Sequence, residues 1–520
     1  MKHLEKPNWQ KKQQKKKTLW LVLLCAFLLI PLGIGAAFIF KNVVSQASLT
    51  VSGKQIIVNE GGDFQDALDR AKPGDTIILQ ADAKFVGAFT LPNKRGNEFI
   101  TIQSSELDKL PKDGIRVSPK DAVLMPKILS SGRGEPAVKT APNAHNYRFI
   151  GIEFAPANAD YVYNLIALGA DDQKVNQIPH DIEIDRCYLH SNPAGITRRG
   201  IALNNADTII KNSYIAGFAG KNEETQAIAG WNGTGGYKII NNYLEAGAEN
   251  ILFGGADPSI KGLIPTDIEI RNNLMTKPLE WRGKVTIKCT FELKNARNVR
   301  VIGNIIENSF DEMAIRLTVR NQDGNSPWSV IEDVLMQNNW IRNSGGGINF
   351  LGTDDINNSE KMKRVQIINN LFTGIDSKKW GSDGRFILIA DGENITVESN
   401  TIFNSGSPIT AHSAPSQNFT FRNNIVSYGD YGFVGDAITG QAVFAKYFAD
   451  STVVNNVVVN ANKAEKQYIY IPPRNILVNN FGEIGFLDLQ AENYQIEQKS
   501  RYRGKGADID ALKAEIKKAQ

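Results

Sequence analysis

Residues 365–372 read VQIINNLF. The phrase returns as YKIINNYL at 237–244, IEIRNNLM at 268–275 and FTFRNNIV at 419–426. Each time a short run with apolar residues at every second position ends in two asparagines. A period of two marks a strand with one buried face. Taking the second residue of each pair and its equivalents gives the register Cys187, Ser213, Asn242, Asn273, Asn304, Asn339, Asn370, Asn400, Asn424, Asn456 and Asn480. The spacings run from 24 to 35 residues, with a mean of 29.3.

Helical repeats of similar length need long runs of period 3.6, and none is visible. A propeller blade needs four strands and about 40–50 residues. What remains is an all-β solenoid, a parallel β-helix of about 11–13 coils. Its coils stack at about 4.8 Å, so an asparagine at one corner of every coil can bond to its counterpart on the next. The amide donates and accepts along the axis, satisfying polar groups that the bend would otherwise leave buried and unpaired. This reading makes the asparagines scaffold.

At 520 residues the chain is long for one compact core, but a repeat array grows in one dimension. Residues 1–18 hold seven lysines and one glutamate, while the whole chain is +4, which leaves the rest at about −2. The basic balance is local and gives the main body no reason to bind nucleic acid. Leu19 to Phe40 is an apolar run of 22 residues without a charge, enough to cross a bilayer. The lysines before it predict a cytoplasmic N-terminus. The expected order is a basic tail at 1–18, a transmembrane signal anchor at 19–40 and a linker at 41–55. A β-helix domain at 56–505, periplasmic or extracellular, and a polar helix at 506–520 follow. The alternative is a cleaved signal peptide, since Ser45-Gln46-Ala47 has small residues at a cleavage-like spacing. Of three cysteines Cys25 lies in the apolar run, and Cys187 and Cys289 read as free buried thiols.

Stacked coils expose a raw edge that must be covered. GGDFQDALDRAKPGDTIIL at 61–79 starts with an amphipathic segment, with Phe64, Ala67, Leu68 and Ala71 on one helical face. It predicts a cap helix over 61–72. The polar helix at 506–520 either closes the last coil or trails from it. The cap and the asparagine-ended coils resemble the right-handed parallel β-helix proteins of the pectin-lyase-like superfamily, over roughly residues 56–505. That resemblance implies the right-handed winding. It says little about chemistry, because the superfamily includes lyases, hydrolases, epimerases, adhesins and phage tailspikes.

Each coil carries another strand before the asparagine run, such as TFELKNA at 290–296 and AIRLTVRNQ at 314–322. Alternation points Ile201, Leu203, Ile251, Phe253, Phe291, Leu293, Ile315, Leu317 and Val319 inward. Asn204, Glu292, Lys294, Arg316, Thr318, Arg320, Asn349 and His412 then point outward. Charges gathered on one flat face can grip an extended anionic polymer such as an acidic polysaccharide. They can equally be cross-strand ion pairs on a solvated sheet.

Lys294 and Arg320 stand 26 residues apart, about one coil. The pair is similar to that of the polysaccharide lyase family containing chondroitinase B and alginate lyases. The resemblance implies a lysine base and an assisting arginine on the next coil. β-Elimination removes the proton α to a uronate carboxylate, so that carboxylate must be neutralised and a base must be free. Arginine suits the first task with its forked donors, and a desolvated lysine suits the second. Arg316 would assist Arg320, and Glu292 would orient Lys294. Asn204, Thr318, Asn349 and His412 are the candidate substrate contacts. The family's acidic calcium ligands shortly before the lysine are represented only by Glu292, and Asn321 stands where a histidine is usual.

Calcium has a second candidate place. Glu249, Glu280 and Asp311 each lie seven residues after a register asparagine. Stacked at one corner they would repel, and a calcium ion would relieve that. The plain alternative is three solvated acids. Two further readings stay open. Asp354 and Asp355 in GTDD could serve a glycoside hydrolase, which needs paired carboxyls. A non-catalytic, membrane-tethered polysaccharide-binding module would need the face alone.

Overall fold

The computed structural model describes residues 53–460 and 470–516. The basic tail at 1–18, the apolar run at 19–40 and nearly all of the 41–55 linker lie outside them. Among the described residues no helix is long and apolar enough to cross a membrane.

The chain is a parallel β-helix. Sheet 1 holds the fourteen strands that run up to the asparagine corner, each pairing in parallel with the next coil. Val334, Val365 and Ile395 stack in one such register row. Twenty-five further strands form one hydrogen-bonded network with two faces. Sheet 2 follows each corner directly and sheet 3 follows sheet 2. In the central coils, Ile305–Thr318 and Trp340–Leu351 turn between the two without a break. The winding is the right-handed one that parallel strand crossovers adopt almost without exception. The expected inward residues of sheet 3, Ile201 through Val319, are all fully buried. They form one core with the inward residues of the other sheets.

The paired asparagines do two different jobs. The first of each pair, Asn212, Asn241, Asn272, Asn338, Asn369, Asn423 and Asn455, turns the corner with φ between +53° and +60°. Asparagine tolerates this left-handed conformation better than most residues. The second is buried and forms the ladder. From Asn242 to Asn456, the backbone N–H and Nδ2 of each asparagine donate to Oδ1 of the next at 2.8–3.1 Å. Ser213 and Cys187 extend it downward through side-chain and backbone bonds. The last rung is Asn475 and not Asn480. Asn475 sits directly before Ile476–Val478, as every other ladder residue precedes a sheet 2 strand. Asn480 is exposed and bonds to Glu483.

Helix Phe64–Arg70, capped by Asp63, buries Phe64, Ala67 and Leu68 over the first coils. The C-terminal helix Ile509–Ile516 neither closes the last coil nor trails from it. Ile509, Leu512 and Ile516 are buried against Leu371 and Tyr494, beside Ile305 and Trp340 of sheet 2. An apolar stripe within a mostly polar sequence therefore docks the helix along the side of the stack. Residues 107–125 pack similarly over Tyr188 and Tyr214. Arg116 from one cover and Glu515 from the other both bond to Asn272.

Candidate functional site

Two register rows, three residues apart along the strands, carry the polar side chains of sheet 3. One runs Asn164, Arg199, Gln226, Glu249 across four successive coils. Another runs Leu252, Glu292, Arg316, Asn349. Apolar neighbours in each strand hold these backbones against the core, so the polar side chains face outward with little freedom.

At the centre Lys288 lies among three carboxylates: Glu249 Oε1 at 3.0 Å, Glu224 Oε1 at 3.3 Å and Glu292 Oε2 at 3.9 Å. Glu249 is fully buried and Glu292 nearly so. Gln226 Nε2 donates to Glu249 Oε2 at 2.8 Å. Burial opposes charge on Glu249, yet Lys288 and the Gln226 bond hold its pKa below the ordinary value. Glu292 goes the other way: burial raises its pKa, the adjacent Glu249 charge adds to the rise, and the charge of Lys294 offsets it only in part. The two neighbouring carboxyls are therefore shifted in opposite directions. Lys294 Nζ is 3.7 Å from Glu292 Oε1, and Thr318 Oγ1 donates to the same oxygen at 3.3 Å.

Beneath this cluster lies a residue absent from the sequence reading. Lys277 is fully buried and donates to the carbonyls of Ala246, Gly247 and Ala248 at 2.7–3.0 Å. Burial lowers its pKa to about 8. Only its place in an otherwise apolar strand end, LMTK, hinted at burial.

Among the described residues, ten buried side-chain polar atoms find no hydrogen bond. Eight of them belong to Thr197, Arg198, Arg199, Gln226, Glu249, Thr290, Glu292 and Arg316, all on or beside this strip of sheet 3. Arg198 and Glu249 still have ion-pair partners, Glu223 and Lys288. Buried polar groups are normally satisfied, so such a concentration marks a place built for something other than stability.

The expected site residues separate. Glu292, Lys294, Arg316 and Thr318 come together. Asn349 is half-buried beside Arg316 in the same row. Arg320 is drawn away from Lys294 into ion pairs with Asp354 at 2.8 Å and Asp355 at 2.6 Å. Arg316, paired in register with Glu292, takes the place expected of it, although it also meets Glu312. Asn204 is buried, and its Oδ1 accepts the backbone N–H groups of Trp231 and Asn232, which is a turn-holding role. His412 lies three coils beyond Thr318 and bonds to Ser413.

The surroundings of Asp354 favour its charged form. Although burial opposes it, backbone N–H groups of Ile356, Asn321 and Asn357 and the Arg320 charge lower its pKa. The hydrolase pair thus serves to fix a loop. Nor do Glu249, Glu280 and Asp311 meet. Glu280 and Asp311 are exposed, and Asp311 pairs with Arg282 at 3.6 Å. Equal spacing from the corner fails because the three chains differ after it. Residues 243–249 are two short strands, Leu279–Trp281 is a 3-10 turn, and Ile305–Thr318 is one continuous strand. The ligating atoms that do converge, within 4.8 Å, are those of Glu249, Cys289 and Glu292. This set fits calcium poorly. Calcium takes six to eight oxygens, whereas burial pushes the Cys289 thiol well up and keeps it protonated, and the Lys288 ammonium already neutralises the carboxylates.

No protein-family model matches the sequence, and no curated protein matches it either. Solved structures share the fold. An alginate lyase of the PL6 family is 12% identical over 82% of this chain and 53% of its own, with a TM-score of 0.49. This chain therefore spans about half that enzyme's length. A mannuronic acid-specific family 6 polysaccharide lyase from human gut microbiota is 10% identical over 89% of this chain and 98% of its own, with a TM-score of 0.48. The catalytic unit of an α-1,3-glucanase from Streptomyces thermodiastaticus is 13% identical over 82% and 69%, with a TM-score of 0.45.

Proposed function

We propose that this chain is a carbohydrate-active β-helix protein that binds a uronate-containing polysaccharide along sheet 3 and cleaves it by β-elimination. The observation that carries the reading is the strip itself: buried polar atoms without partners, beside Arg199, Lys288, Lys294 and Arg316 on one face. A polyanion supplies acceptors for the unpartnered Nε groups of Arg199 and Arg316. The 19–40 segment, as a signal anchor, would hold the domain outside the cytoplasm.

In this reading Lys294, as the free amine, takes the C5 proton. Arg316 turns from Glu312 to the sugar carboxylate and bears the charge that develops there. The C4–O bond breaks, a C4=C5 double bond forms, and the departing oxygen takes a proton from solvent. Glu292 sets the position of Lys294 from 3.7 Å. No step passes through a metal ion. Incubating the purified protein with a panel of uronate polymers tests this: ultraviolet-absorbing unsaturated uronates should accumulate. Polymer loss with new reducing ends and no such absorbance overturns it in favour of a hydrolase. The ion pair of Lys294 with Glu292 favours one second reading, a module that binds the polymer and leaves it intact, because it occupies the amine that the elimination needs.

A further inference from the structure

Toward the N-terminal end of the same strip lies a second group of side chains with no part in the elimination just described. Arg199 stands one coil before Gln226 and three coils, about 14 Å, before the strand that leads to Lys294. Its guanidinium lies 4.7 Å from the centre of the Trp231 ring. Its one hydrogen bond to a side chain is Nη1 to Asn164 Oδ1, at 3.4 Å. Nε is buried and partnerless, as is Oε1 of the neighbouring Gln226.

The other cations of this face all have acids. Arg198 meets Glu223, Lys288 meets Glu249, Lys294 meets Glu292, Arg316 meets Glu312 and Arg320 meets Asp354. Among the described residues no carboxylate forms an ion pair with Arg199. Glu223 and Glu249 act on Arg199 only from beyond ion-pair distance, and a guanidinium without a carboxylate in contact in a partly desolvated place is costly unless an anion arrives. Burial lowers its pKa to about 10, which still leaves it charged at neutral pH.

The coils on either side of it carry aromatic side chains. Trp231 is half-buried and its backbone N–H is pinned by Asn204, so the indole is pre-placed. Tyr163 is 55% exposed and packs edge-on to Tyr161, their centres 4.9 Å apart. Between Trp231 and Lys294 the outward row is occupied by Gly254, at φ +93°. A Cβ there would fall 2.9 Å from that of Lys294. The glycine leaves a trough from the indole to the lysine.

We infer that Arg199 and Trp231 form a uronate subsite, distant from the bond that breaks, in which the guanidinium fork takes a sugar carboxylate and the sugar ring packs on Trp231 and Tyr163. The inference rests on the polysaccharide reading and deepens it: the ligand is an anionic oligosaccharide spanning at least three coils. Such a subsite contributes affinity and register without touching the reacting atoms.

The test is calorimetric titration of the full-length protein with hexasaccharides of mannuronate, guluronate, galacturonate and glucuronate, and with their carboxyl-reduced neutral counterparts. A Lys294→Ala background prevents turnover. Arg199→Gln should weaken uronate binding about ten- to hundredfold, the size of a lost charge-assisted contact, and leave the neutral sugars unchanged. Arg199→Lys should recover only part, since a point charge cannot form the fork. Trp231→Ala should weaken both sets. Equal loss of charged and neutral sugars in Arg199→Gln, or no loss of either, overturns the subsite, as does a hexasaccharide set that does not bind at all. If the wild-type protein cleaves a uronate polymer while Arg199→Gln binds normally, the subsite fails and the lyase reading survives. If binding depends on Arg199 and no polymer is cleaved, the subsite stands and the elimination fails.

Discussion

Sheets 1 and 3 both present charged outer faces, and they treat charge in opposite ways. On sheet 1 the rows neutralise themselves. Arg148 meets Glu183 at 2.6 Å, and Glu183 meets Lys211 at 3.1 Å. Glu332 is shared among Arg297, Lys363 and Arg364. On sheet 3 the acids are sunk beneath the cations, burial raises the pKa of one carboxyl, and buried atoms of Thr197, Arg199, Gln226, Thr290, Glu292 and Arg316 lack hydrogen-bond partners. Cross-strand pairs on a solvated sheet add little stability and ask for no ligand. Unsatisfied groups in a low-dielectric strip detract from stability and are retained where binding or chemistry uses them. A charged sheet face is thus informative by its unpaired members and not by its charge count.

That contrast breaks most sharply at Lys294. Lys294→Ala should reduce the elimination rate by at least about a hundredfold, as expected for a general base, without lowering the unfolding temperature. An active protein that keeps its full rate removes Lys294 from the chemistry. Glu292→Gln should likewise lower activity while leaving stability unchanged or raised, because a neutral amide replaces a buried carboxyl whose Oε2 has no hydrogen bond. A marked loss of stability in urea unfolding would show that the strip is structural, like sheet 1.

The corner beneath both faces behaves differently again. Asn370→Leu removes donors to Met336 O and Asn400 Oδ1 and the acceptor used by Asn339. The expected loss is about 1–3 kcal/mol by denaturant unfolding, against almost none for the exposed Lys238→Ala. Equal midpoints for the two would overturn the ladder's role.

Lys277 sharpens the comparison through pH. Its folded pKa of about 8 lies below the ordinary lysine value, so between about pH 8 and 10 the unfolded chain binds more protons than the folded one. Stability should rise with pH across that window relative to Lys277→Met. Parallel curves for the two proteins would show that the buried amine titrates normally. The smallest effect belongs to sheet 1. Arg364→Ala should lose about 0–1 kcal/mol, less at high salt. The Arg364 hydrogen bond holds the Asp333 pKa down, so the contribution is present above the ordinary carboxylate range and disappears as pH falls through the lowered value. In Arg364→Ala that acid-side loss should flatten, with cleavage unchanged.

The coil order, the cap helix and the inward residues were legible because each depends on near neighbours. Alternation sets which side chain faces the core, and Asp63 caps from three residues away. The site was legible only in part. Glu292, Lys294 and Arg316 sit in strands whose alternation is plain, so their facing was readable. Their partners were not. Arg320 and Asp354 are 34 residues apart, and Arg199 bonds to Asn164, 35 residues earlier. The docked C-terminal helix was missed because its three apolar residues are few among charged ones.

By itself the sequence determined a stack of asparagine-cornered parallel coils and the facing of their strands, since both follow from local periodicity and from what one amide can satisfy at a bend. Only the tertiary structure decided which residues of different coils meet. Coil lengths vary from 19 to 35 residues along the ladder, so equal spacing from a corner does not bring Glu249, Glu280 and Asp311 together, and although the Arg320 backbone N–H donates to the Lys294 carbonyl at 3.0 Å, its guanidinium goes to Asp354. The insertions that change each coil's length emerge between the sheets. There they choose the ion-pair partners and leave Arg199 beside Trp231, without an ion-pair partner among the described residues.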